Sequence, residues 1–71
     1  MNERLVVSTV VETLGRNGAL KIDELLKAVQ KLHSSVDERF FEKTLMVMEL
    51  HGLINVYKMT RGKRRVELKK G

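Results

Sequence analysis

The spacing of the apolar residues changes at Gly52, and that change limits what the chain can fold into. Before Gly52 they recur every three or four residues, in separate segments. After it they alternate, in two short runs around Gly62. Helical periodicity gives way to strand periodicity once, so helices followed by a β-hairpin are the arrangement to expect.

The first helix is expected over residues 3–14. Val6, Val7, Val10, Val11 and Leu14 share a face, and Ser8, Thr9 and Glu12 point away from it. Valine has weak helix propensity, so packing must hold this helix. Leu5 lies off the apolar face and is a candidate exposed contact. Gly15 and the pair Asn17-Gly18 end the helix, because both residue types tolerate left-handed backbone. A short extended piece follows at residues 19–22, with Leu20 and Ile22 facing inward on either side of Lys21. Asp23 then caps a second helix reaching about Leu32, whose apolar stripe is Leu25, Leu26, Val29 and Leu32. His33-Ser34-Ser35 is a turn. Ser35 and Glu38 have the spacing of a capping box, which opens a third helix over residues 36–51. Phe40, Phe41, Thr44, Leu45, Val47 and Met48 give it a broad buried face. Arg39, Glu42, Lys43, Met46, Glu49 and Leu50 occupy the rest.

The β-patterned runs on either side of Gly62 form the hairpin. Two registers are open. A two-residue turn sets Tyr57 opposite Val66. A three-residue loop with Gly62 left-handed sets Val56 opposite Leu68. The second gathers Ile54, Val56, Val66 and Leu68 on one face and leaves Tyr57, Met59, Arg65 and Glu67 on the other. It is preferred, because a half-buried sheet fixes its register by its apolar set. Residues 69–71 are expected to fray. The fold class is therefore α+β, mainly α, in one domain over residues 1–71.

Charge is unevenly placed on this framework. Residues 1–57 carry seven Lys/Arg against eight Asp/Glu, and residues 58–71 carry seven against one, for a net +5. The stretch YKMTRGKRRV, residues 57–66, holds five of the cations and no acid. A local cationic cluster suits a polyanion contact; a solubilising surface is the other reading.

The order helix, short strand, helix, helix, strand, strand resembles the winged helix-turn-helix family. NGALKIDELLKAV is similar to its junction of first strand and second helix. TLMVMELHGLINVYKM is similar to the end of its third helix entering the wing. The small, cysteine-free chain also resembles stand-alone archaeal winged-helix DNA-binding proteins. The resemblance implies double-stranded DNA as partner and transcription regulation as role. Helix 36–51 would enter the major groove and the basic wing 57–66 would lie on the backbone. By position, the contacts would be Ser34, Ser35, Arg39, Lys43 and Met46 from the third helix and its approach. Lys58, Arg61, Lys63, Arg64 and Arg65 would come from the wing. Clustered cations release counterions from duplex DNA, an Arg39–guanine pair would discriminate bases, and the N-terminus of the third helix could offer N–H groups to a phosphate. A homodimer through the first helix, at Leu5 and the edge of its valine stripe, would double the footprint.

A second function class stays open. Glu42 and Glu49 repel phosphate, and Met46 and Leu50 are apolar, so this helix face also suits a protein partner within a larger complex. Catalysis is not expected. There is no cysteine, and His33 and His51 lack the neighbours of a metal site. Ser34 and Ser35 have no base placed to activate them, and Arg61-Gly62-Lys63 lacks the strand–loop–helix setting of a phosphate loop. No cofactor is implied. No apolar run approaches the ~18 residues of a bilayer span. Residues 2–4 do not open a signal peptide, and the cytoplasm is the expected location.

Overall fold

The structure, a computed structural model, describes residues 2–69; residues 1, 70 and 71 lie outside it. Three helices and a three-stranded antiparallel sheet follow in the order α1 (Glu3–Asn17), β1 (Leu20–Lys21), α2 (Ile22–Leu32), α3 (Glu38–Leu50), β2 (Ile54–Lys58) and β3 (Arg64–Leu68), with a 3-10 turn at Thr60–Gly62. The sheet order is β1-β3-β2, so the C-terminal strand is central. This is the expected α+β, mainly helical class, in a winged-helix-like layout.

The core forms where the helices meet the inner face of the sheet. It comprises Val6, Val10 and Leu14 of α1, Leu25 and Val29 of α2, Val36, Phe41, Leu45 and Met48 around α3, and Ile54 and Val66 of the hairpin. The stripes read from the sequence are mostly these residues. Val11 and Leu32 depart from them, since both are exposed. Val11 lies at the edge of the α1 stripe, and Leu32 is the last residue of α2, where the chain turns away.

Helix ends differ from expectation because local side-chain bonds decide them. α1 runs through Gly15 to Asn17. The Gly18 N–H closes it on Leu14 O at 2.9 Å, while the Asn17 side chain donates to Thr13 O. α2 starts at Ile22 rather than behind Asp23, because the Glu24 carboxylate accepts the Lys21 N–H at 3.0 Å. α3 starts at Glu38, not residue 36, and its cap is Asp37, whose carboxylate accepts the Phe40 N–H at 2.7 Å. Ser35 does not cap it. Val36 is buried instead, and the Gln30 side chain donates to its carbonyl, which fixes the turn between α2 and α3. At the far end Gly52 adopts φ +73°. Its N–H bonds Glu49 O and the Leu53 N–H bonds Met48 O, the paired closure that a left-handed residue permits.

The hairpin pairs Ile54 with Leu68, Val56 with Val66 and Lys58 with Arg64. The expected register was two residues off. A slip of two preserves which side chains share a face, so the apolar face is as read. The loop is longer than three residues: Arg61 and Gly62 both take positive φ, and Met59 N–H bonds Lys63 O. Lys69 is not frayed at its backbone, since its N–H donates to Leu53 O at 3.0 Å.

Candidate nucleic-acid interface

Strand alternation sorts the basic residues of the hairpin into three groups. Lys58, Arg61 and Lys63 surround the loop and are exposed. The loop backbone that carries them is closed by the Met59–Lys63 bond. Arg65 points to the outer face of the sheet, away from the helices. Arg64, one residue earlier, points to the inner side, where its Nη2 meets Glu42 Oε2 of α3 at 2.5 Å. This is the one ion pair among the described residues. Of the five expected wing contacts, four stay unpaired among those residues, and Arg64 ties the wing to α3 instead.

Helix α3 presents a mixed surface. Ser34 and Ser35 are exposed in the turn before it, and Arg39 is exposed in its first turn. Lys43 and Met46 come together with Arg64 around an open cleft of about 380 Å³ between α3 and the sheet, floored by Ile22, Leu45 and Val56 and rimmed by Glu42 and Glu49. Ser34, Ser35 and Arg39 do not line it. Met46 and Leu50 are 55% and 77% exposed. The acids Glu38, Glu42 and Glu49 outnumber Arg39 and Lys43 along this helix. At the α3 N-terminus the Asp37 carboxylate accepts the Phe40 N–H, one of the N–H groups to which a phosphate could bind.

The outer face of the sheet holds a residue that sequence reading did not assign. β1 pairs with β3 so that Lys21 lies directly opposite Arg65, while Tyr57 lies opposite Arg65 on the other side. The alternation Leu20-Lys21-Ile22 already turned Lys21 away from the core; the long-range pairing that brings it to Arg65 has no local signal. The Tyr57 hydroxyl donates to Glu67 Oε1 at 2.6 Å. That hydrogen bond to a carboxylate, with some desolvation and the Glu67 charge, raises the Tyr57 pKa above its ordinary value.

Among the described residues, no group of three or more His, Cys, Asp or Glu is placed to hold a metal ion. No described helix is long and apolar enough to cross a membrane. No known family model, curated protein or solved structure matches the chain.

Proposed function

We propose that this chain is a winged-helix-type binder of double-stranded DNA that acts in transcription regulation in the cytoplasm. The observation that carries the reading is the hairpin tip: Lys58, Arg61 and Lys63, exposed on a closed loop, with no acid between residues 57 and 66. Arg65 adds a fourth cation, unpaired among the described residues, from the same strand pair. Such groups hold phosphates without reading sequence. Base contacts would come from Arg39 and Lys43, with Ser34 and Ser35 beside them. A homodimer belongs to this proposal. Leu5 on α1 is exposed, and one turn on, Thr9 Oγ1 lies 2.8 Å from His33 Nε2, next to the exposed Leu32. Leu5 thus supplies an exposed apolar side chain for a second copy.

The test is binding to a labelled random-sequence duplex across about 50–200 mM salt. Four phosphate contacts imply a slope of log affinity on log salt near −3.6, or roughly a hundredfold loss over that range. Arg61→Ala with Lys63→Ala is expected to reduce the slope by about 1.8 for all sequences alike. No binding at the lowest salt would remove the proposal.

The exposed Met46, which lines the cleft, and the exposed Leu50 favour a second reading as a protein-binding module. There Met46→Glu would abolish partner binding in a folded chain, and the tip cations would be dispensable.

A further inference from the structure

We propose that the outer face of the sheet is a second nucleic-acid site, which takes an unpaired stretch of single-stranded DNA by stacking a base on Tyr57. Three side chains on neighbouring strands form one row: Lys21 on β1, Arg65 on β3, Tyr57 on β2. Directly opposed residues of antiparallel strands project on the same face, so all three stand on the side away from the helices. Lys21 and Arg65 are like charges set directly opposite each other, a pairing that destabilises a sheet. Neither has an acidic partner among the described residues. An anion between them relieves the repulsion.

Tyr57 gives the face its selectivity. Its hydroxyl is bonded to Glu67, which pairs with Asn55 one row along, so the ring reaches diagonally across two strands. Diagonal neighbours are about 7–8 Å apart, and a tyrosine spans that gap only by leaning over the sheet. The ring is thereby tethered across the sheet at its hydroxyl end, with 48% of the residue open to solvent. An exposed aromatic ring anchored on a sheet accepts an unstacked base. A ring that leans from β2 toward Glu67 of β3 lies beside Arg65 of the same strand, with Lys21 one strand farther, about 4.8 Å. Successive phosphates of one extended strand fall to these two cations, while the Glu67 carboxylate keeps phosphates from the opposite side of the ring. A duplex offers no base face to Tyr57, because its bases are stacked on each other. The choice of DNA over RNA rests on the duplex-DNA reading of the same hairpin.

Tyr57 is the sole tyrosine and the chain has no tryptophan, so its own fluorescence reports the site. A twelve-residue oligothymidylate titrated into the full chain is expected to quench it, and a duplex of the same length is not. In anisotropy with labelled oligothymidylate, Tyr57→Ala weakens binding about tenfold or more. Tyr57→Trp retains it, Lys21→Gln weakens it, and duplex affinity is unchanged by Tyr57→Ala. Oligothymidylate bound without quenching, or bound equally by Tyr57→Ala, overturns the proposal, as does tenfold tighter binding of oligouridylate. Duplex binding with no oligothymidylate binding overturns this inference alone. Quenching by oligothymidylate with no duplex binding removes the reading of the hairpin tip and sustains the stacking site, whose choice of DNA then rests on tighter binding of oligothymidylate than of oligouridylate.

Discussion

Arg64 and Arg65 are neighbours of the same type, and one peptide bond gives them opposite employments. The strand turns Arg65 outward to Lys21 and Tyr57, and turns Arg64 inward to Glu42. The Glu42–Arg64 pair has side chains about one-third exposed, so solvent screens it and its direct contribution to stability is small. Its consequence is one of charge: a wing cation is neutralised at the lining of the cleft beside α3. Glu42→Gln is therefore expected to leave the melting temperature nearly unchanged while releasing Arg64. If the hairpin lies on duplex DNA, the salt slope should steepen by about 0.9, the share of one more phosphate contact. The same salt titration reads this directly. An unchanged slope would mean that Arg64 does not reach the backbone even when free.

Gly15 sits inside α1 although a glycine there reads as a stop. The helix continues because its closing bond comes from Gly18, and because α1 packs on α2, α3 and β3 along its valine face. A β-carbon at residue 15 would meet Leu68 Cδ1 at 3.9 Å, an ordinary contact. Gly15→Ala is thus expected to stabilise the fold by about 0.5–1 kcal/mol, seen as a rise of roughly 2–8 °C in a thermal melt. A fall would show that α1 and β3 approach more closely than this spacing. The same helix illustrates what the sequence displays and what it hides. Periodic stripes were legible, since burial selects side chains at fixed angles around a helix and on alternate sides of a strand. Helix ends were not, because several residues compete for each cap: Asp37 wins over Ser35 once Val36 is drawn into the core. The hairpin's faces were legible and its register was not, because nothing local announces that the non-glycine Arg61 will take φ 61° and lengthen the loop. For the candidate site the cation cluster was plain, whereas the Glu42 partner and the Lys21 neighbour depend on contacts made across the fold.

The molecule measures about 30 × 29 × 22 Å, slightly less than one turn of duplex DNA, whose half-sites recur about 34–36 Å apart. One copy can therefore address one half-site, and a regulator reading two needs a second copy held at a fixed distance. Exposed apolar side chains that could hold it are Leu5 of α1, 54% exposed, and Leu32 at the end of α2, 69% exposed. Val11 is also exposed but lies about 120° around the helix from Leu5, so it belongs to a different face. A contact built on Leu5 is small, and a dimer that depends on it should be sensitive to one charge. Leu5→Glu is expected to keep the fold, because Leu5 is outside the core, and to convert a dimer into an 8.2 kDa monomer in sedimentation equilibrium. Binding to a duplex with two half-sites should weaken markedly, while binding to a single half-site should change little. If the unsubstituted chain already sediments at 8.2 kDa at micromolar concentration, these leucines do not join two copies, and the hairpin must serve a single half-site.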